Sequence, residues 1–260
     1  MATGAQQIEQ LGRWRRRLLP RSLPEVAGWE WAVHASHSAW PGGDYFDVVP
    51  LSAEQWLVFL GDASGHGGAA AVLAAMARMV LHACPLTSER ERTPFCPVHG
   101  WSQTPSVIMS RLNRVLASNA LEEQFMTAFL GQWRPARARF DFVLAGAAPP
   151  RIWRQATGQV EAATDCAGLP LGIAPKEVYS VARIVLEPGD AMVIFTDGLV
   201  EARNAKGQMF RVHRVDAVLT EQAHDGAEVI RAGLAESVND FLEGRPAADD
   251  VSFLVVKRWE

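Results

Sequence analysis

Four short stretches of this chain set aspartate beside glycine or beside a second aspartate: Pro41-Gly42-Gly43-Asp44, Gly61-Asp62-Ala63-Ser64-Gly65-His66-Gly67, Thr196-Asp197-Gly198 and Asp249-Asp250-Val251-Ser252. A single Asp-Gly pair marks a turn for purely conformational reasons. The conjunction carries more. Asp62 and Asp197 each follow an apolar run, Trp56 to Leu60 and Ala191 to Phe195, so both would project from one edge of a core if those runs are neighbouring strands. Carboxylates crowded at the mouth of a sheet raise one another's pKa unless a cation compensates. Mg²⁺ and Mn²⁺ are the natural compensation, because they take oxygen ligands and keep several waters, so a few aspartates and a backbone carbonyl suffice to hold a pair.

The elements that must position these residues are legible in outline. Trp29 to His34 and Trp56 to Leu60 are short apolar runs around a Gly42-Gly43 turn and read as two neighbouring strands. Ala69 to His82, rich in Ala, Leu and Met, predicts a buried helix that starts just after the glycines of 65 to 68. Pro85, Pro94 and Pro97 predict a loop up to Thr104, and a second helix starts at Pro105 with Val107, Ile108, Leu112, Val115 and Leu116 at helical spacing. Strand-like runs then follow in series: Phe125 to Trp133, Phe140 to Leu144, Arg151 to Trp153, Val178 to Leu186 and Ala191 to Phe195. Ile230, Leu234, Val238 and Phe241 form a helical stripe, and Val251 to Val256 closes the chain as a strand. Strands in series, rather than in strict alternation with helices, predict an α+β domain with predominantly antiparallel sheets.

With 260 residues and a net charge of -4, the chain is large enough for one substantial core and has no overall attraction for a phosphate backbone or an anionic membrane. Nucleic acid is therefore not the expected partner. No apolar run reaches the 18 or so residues of a membrane span, and the N-terminus lacks the order of a secretory signal peptide. Cys84, Cys96 and Cys166 are too few and odd in number for a disulfide framework, so a cytoplasmic, reducing address is expected. Residues 1–24 read as an N-terminal linker helix, with Ile8, Leu11, Leu18 and Leu19 as a mildly apolar face, and residues 25–260 as the domain. That helix either pairs two copies of the chain or folds back on its own domain. Arg15 to Arg17 on it read as a solvated face or as a surface for an acidic partner.

The blocks Gly-Gly-Asp-Tyr-Phe-Asp (42–47), Gly-Asp-Ala-Ser-Gly-His-Gly (61–67), Phe-Met-Thr-Ala-Phe (125–129), Leu-Pro-Leu-Gly-Ile (169–173), Pro-Gly-Asp (188–190), Thr-Asp-Gly-Leu-Val-Glu-Ala (196–202) and Asp-Asp-Val-Ser (249–252) occur in this order. In that order the sequence resembles the bacterial PP2C-type serine/threonine phosphatases of the SpoIIE/RsbU group. The resemblance implies a four-layer α-β-β-α sandwich with two Mn²⁺ or Mg²⁺ ions between the sheets. It implies a phosphatase acting on phosphoserine or phosphothreonine of a regulatory protein, a STAS-domain anti-sigma factor antagonist, through a metal-bound water. Carried over residue by residue, Asp62 would bridge both ions, the Ala63 carbonyl would bind one, Asp197 and Asp249 would bind the other, and Asp44 would bind directly or through water. Paired cations about 3.5–4 Å apart acidify a shared water and stabilise charge on phosphoryl oxygens. Asp47 and Asp250 would orient the ligands.

His66, in the glycine turn, is either a proton donor to the leaving oxygen or a turn residue at the helix entrance. His82, Cys84, Cys96 and His99 mimic zinc ligands, but their spacing is not a standard one. The resembling group usually carries Ala-Gly-His where this chain has Ala145-Gly146-Ala147, and Gly where Arg211 follows Phe210. The first departure touches substrate positioning and the second a loop. Because such group members often carry a sensory domain ahead of the catalytic one, control is expected in trans or through the N-terminal helix. Two other readings share the fold: a non-catalytic partner-docking module, and a phosphatase of a small phosphorylated metabolite. Clustered buried carboxylates argue against the first.

Overall fold

The computed structural model describes residues 19–20, 22–36, 43–65, 67–83, 104–119 and 124–259. Among the described residues, ten strands form two five-stranded sheets, and every pairing between these strands is antiparallel. One sheet has the order β2 (Asp44–Ser52), β3 (Gln55–Ala63), β4 (Met126–Arg134), β5 (Arg139–Ala145), β8 (Ala182–Val185). The other has the order β1 (Trp29–Ser36), β10 (Val251–Arg258), β9 (Ala191–Phe195), β6 (Arg151–Arg154), β7 (Gln159–Ala162). Helices α1 (Gly68–Ala83) and α2 (Pro105–Asn119) pack on the first sheet, and α4 (Val212–Gln222) and α5 (Ala227–Leu242) on the second. The short helix α3 (Asp197–Glu201) follows β9 directly.

The layering follows from strand alternation, since successive side chains point to opposite faces. In β3, Leu57 and Phe59 pack on the helices while Val58 and Leu60 enter the space between the sheets. In β10, Phe253 and Val255 meet the helices while Leu254 and Val256 face the opposite sheet. Both faces of each central strand are therefore buried, so these strands are nearly continuously apolar rather than alternating. One end of the inter-sheet space is closed by aromatics. The fully buried Trp133 lies 5.2 Å from Trp29, 4.8 Å from Trp31 and 5.0 Å from Trp56 between ring centroids. The opposite end, where β3 and β9 run out, is where the aspartates lie.

Several expectations need correction. Trp29–His34 and Trp56–Leu60 are not neighbours: β1 lies in one sheet and β3 in the other, where it pairs with β4 and with β2, which the Gly42-Gly43 turn signal concealed. Val178–Leu186 is a strand only over Ala182–Val185, whose in-out pattern is that of an edge strand on β5, while Val178 is 79% exposed. The polar edge strand β7 carries no apolar signature, and α3 is too short for a periodic one. Helix α4 did leave a trace in the spacing of Val215, Val218 and Leu219, all buried. The loop expected after Pro85, up to residue 103, and the N-terminal helix, apart from residues 19–20 and 22–24, which are not helical, lie outside the described residues. No described helix is long and apolar enough to cross a membrane.

Candidate functional site

Asp44 opens β2 and stands directly opposite Asp62 near the end of β3. Both continue the rows of side chains that enter the inter-sheet space, Phe46 and Val48 on one strand and Val58 and Leu60 on the other. Cross-strand partners have Cβ atoms about 4.5–5.5 Å apart, and like charges there repel. Asp197 arrives from the other sheet, at the junction of β9 and α3, and Asp249 from the turn before β10. Asp62 and Asp197 thus face each other across the sandwich instead of projecting from neighbouring strands, which corrects the expected arrangement.

A hydrogen-bonded strut joins the two sides. The Thr196 hydroxyl donates to Asp44 Oδ2 at 3.0 Å and accepts the Ser252 N–H at 3.3 Å, while the Thr196 N–H donates to the Ser252 carbonyl at 3.0 Å. Two glycines permit the close approach. A Cβ at Gly43 would lie 2.0 Å from the Ala63 carbonyl oxygen and 2.5 Å from Asp62 Oδ1. At Gly198 it would lie 1.9 Å from the Asp250 carbonyl oxygen. The backbone around Ala63 is further held by the Ala63 N–H donating to Gly43 and the Ser64 N–H donating to Phe125.

Electrostatically the cluster is under stress. Burial, and then the charge of Asp62, push the Asp44 carboxyl well above its ordinary value, against the hydrogen bond from Thr196. Burial, followed by Asp197 and Asp249, push Asp62 up to about 7. Asp197 is raised by burial and by Asp249. Asp250, 1% exposed, adds to the negative field at Asp44 and Asp62.

The donor set, carboxylate oxygens with a main-chain carbonyl against them, fits hard divalent cations and offers nothing soft. Among the described residues, no three His, Cys, Asp or Glu side chains already form a closed cage. The charge excess, together with the glycine cradle over Ala63, is what a cation would relieve.

Asp47 does not join the cluster, contrary to expectation. Three residues along β2 from Asp44, it falls on the opposite face, toward α1. There its carboxylate accepts hydrogen bonds from the Tyr45 hydroxyl, from Arg78 at 2.9 Å and from the Val48 N–H at 2.9 Å, with His82 Nε2 at 2.7 Å. His82 is thereby committed to Asp47. Cys84, Cys96, His99 and His66 lie outside the described residues. Ala147, partly buried, lines a narrow cleft with Thr127, Thr196 and Asp197, so the substituted position does border the carboxylates.

Some of the recurring blocks prove to be scaffold. Asp190 accepts from Arg154 at 2.7 Å and from the Gln155 and Glu187 N–H groups, at the end of β9 remote from Asp197. Leu171 bridges to Met126 through two backbone bonds, and the Gly172 N–H donates to the buried Asn113 at 2.8 Å. Lys257, also buried, donates to the carbonyls of Gly189 and Ala223. Asn113 and Lys257 carried no sequence signal, because each looks like an ordinary polar residue until its carbonyl or amide partner is seen.

Residues 52–259 match the family model described as Stage II sporulation protein E (SpoIIE). The chain belongs to the SpoIIE family. This is a family of PP2C-type phosphatase domains, and relatives and folds agree with the membership. The SpoIIE-family chain is 22% identical over 265 residues to Protein IcfG of Synechocystis sp., covering 97% of itself and 41% of that protein. To phosphoserine phosphatase RsbU of Bacillus subtilis it is 24% identical over 252 residues, covering 97% and 70%. It therefore spans about two-fifths of the length of IcfG. Its fold superposes on the SiaA-PP2C domain of Pseudomonas aeruginosa with a TM-score of 0.78 at 22% identity, each chain covered completely. It also superposes on the catalytic domain of the serine threonine protein phosphatase PstP, solved with two manganese ions, with a TM-score of 0.59 at 16% identity over 89% of this chain and 99% of that one.

Proposed function

We propose that this chain is a metal-dependent phosphatase that hydrolyses phosphoserine or phosphothreonine on a regulatory protein, with a phosphorylated STAS-domain anti-sigma factor antagonist as its substrate. The observation that carries the reading is the opposition of Asp44 and Asp62 on one sheet to Asp197 on the other, a concentration of buried and half-buried negative charge that a docking module has no need to maintain. Family membership supports it, as does the name of RsbU, a phosphoserine phosphatase.

In this reading Asp62, the Ala63 carbonyl, Asp197 and Asp249 would hold two Mn²⁺ or Mg²⁺ ions, with Asp44 binding directly or through water. Such ions acidify water and stabilise charge on phosphoryl oxygens during in-line attack, which removes any need for a phosphoenzyme. The chain's own residues hold the geometry. Thr196 keeps Asp44 oriented, Gly43 leaves the Ala63 carbonyl uncovered, and Gly198 lets the start of α3 sit against the Asp249-Asp250 turn.

The deciding experiment offers a panel of phosphorylated STAS proteins, and separately p-nitrophenyl phosphate, to the full chain with Mn²⁺ and with EDTA. Turnover that EDTA abolishes and Mn²⁺ restores is the expected result; full turnover in EDTA would remove the metal mechanism. We also propose a cytoplasmic location and pairing of two chains through residues 5–19. Light scattering of the full chain beside one starting at Ser22 tests the pairing, and equal masses would dismiss it.

A further inference from the structure

A pocket of about 370 Å³ adjoins the cleft that contains Asp197 and is lined by Ala148, Pro149, Phe195, Val200, Met209 and Val212. Ala148 and Phe195 also line the narrow cleft that contains Asp197, so the two share a wall. Its volume lies within the range of ligand-binding pockets. Three charged residues complete the wall: Arg151, Glu201 and Arg211. Arg151 is committed to Asp216 through two bonds of 2.7 Å. Arg211 is exposed, and among the described residues its guanidinium has no hydrogen-bond or ion-pair partner.

The backbone of Arg211 makes its presence informative. It has φ 65° and ψ 156°, a region that glycine visits freely and other residues only under strain. Its N–H is pinned to the Val200 carbonyl at 2.8 Å, and its carbonyl accepts the Arg214 N–H at 3.3 Å, so the conformation is imposed by the join between α3 and α4. Glycine would relax the fold. A strained, unpaired arginine at the edge of an apolar pocket beside a candidate active site is the pattern of a residue kept for what it binds.

We infer that this pocket reads the substrate next to its phosphorylated residue, seating one apolar side chain while Arg211 pairs with a neighbouring carboxylate. The inference rests on the phosphatase reading and names the substrate's local chemistry. Val200 and Glu201 stand three and four residues beyond Asp197 on α3, roughly 4.5–6 Å of helix rise. An extended peptide advances about 3.3 Å per residue, so the pocket meets the substrate about two residues from the phosphoserine. Arg211 is here a specificity residue; it touches no reacting atom.

The test uses the full chain with Mn²⁺ and phosphoserine peptides carrying Leu or Ala two residues to either side of the phosphoserine, with Glu, Gln or Lys beside it. On one side, Leu should raise kcat/KM about tenfold over Ala, through apolar burial. Glu should add roughly threefold to fivefold through a partly exposed ion pair. Arg211→Gly should lose the preference for Glu through KM with kcat held, keep its rate on p-nitrophenyl phosphate, and melt at a higher temperature. Arg211→Glu should favour the Lys peptide. Equal KM values for all peptides, in an enzyme that still hydrolyses p-nitrophenyl phosphate, would overturn the inference and leave the phosphatase reading standing. A wild-type chain that hydrolyses neither the ester nor any peptide would overturn the phosphatase reading itself.

Discussion

Asp44 and Asp62 are cross-strand partners, and a sheet places no two like charges in such a position without a reason. Asp44 is buried and Asp62 half-buried; burial raises both, the charge of Asp62 raises Asp44 further and those of Asp197 and Asp249 raise Asp62, and neither has a basic side chain among the causes of its shift. Neutralising one of them removes a charged donor, so Asp62→Asn and Asp197→Asn should each lose at least about a hundredfold in turnover of p-nitrophenyl phosphate. A near wild-type rate in either variant would mean that the cluster is not the site. Ala147 presents a different case, since it borders Asp197 and Thr196 without supplying an oxygen. Ala147→His should raise turnover of a phosphoprotein at unchanged Mn²⁺ affinity by adding a polar group to the cleft wall. An unchanged rate would make the position simple filler.

Strands and helices decide which carboxylate can serve which purpose. Asp44 and Asp47 lie three positions apart on one strand, so the alternation that turns Asp44 into the sandwich turns Asp47 out to α1. There Asp47 ties Tyr45, Arg78 and His82 together and clamps β2 to the helix. Asp47→Ala should therefore lower stability by about 2 kcal/mol, or roughly 4–8 °C in Tm, through the groups left unpaired. Turnover of p-nitrophenyl phosphate should stay within about twofold. A large loss of turnover at unchanged Tm would show that Asp47 serves the carboxylates after all. A similar division holds at the two ends of β9: Asp190 anchors a turn through Arg154, whereas Asp197 enters the cluster.

Across the whole molecule, the candidate ligands come from both sheets, Asp44 and Asp62 from one and Asp197 and Asp249 from the other. Cations between them would tie the sheets together at the end opposite the tryptophan cluster. Binding to the folded state alone should stabilise it by about 2.7 kcal/mol at a hundredfold excess over Kd, roughly 5–10 °C in Tm. The effect depends on pH, with a definite sign. The folded, metal-free chain has Asp62 raised from 3.8 to about 7, so it holds protons that the unfolded chain has already released. This contribution to stability is fully present below the unfolded value and is lost as pH rises through about 7. In the proposed site Mn²⁺ would take the place of those protons. Thermal denaturation should show a larger Mn²⁺-induced rise in Tm at pH 8 than at pH 5.5; a shift equal at both, or larger at the lower pH, would mean that Mn²⁺ does not bind at these carboxylates.

Residue order alone determined the family resemblance, the α+β class and most of the central elements, because apolar runs long enough to be buried on both faces leave little choice of structure. It also singled out Asp44, Asp62, Asp197 and Asp249, since aspartate beside glycine at several strand ends is rare enough to be noticed. Their arrangement lay beyond it. That β1 and β3 belong to different sheets, that Asp62 meets Asp197 across the sandwich, and that Thr196 ties Asp44 to Ser252 are consequences of long-range pairing, which no local pattern encodes. The role of Arg211 was hidden for a related reason: a positive φ belongs to the backbone path between α3 and α4, and only the folded chain reveals that an arginine occupies a glycine's conformation beside an open pocket.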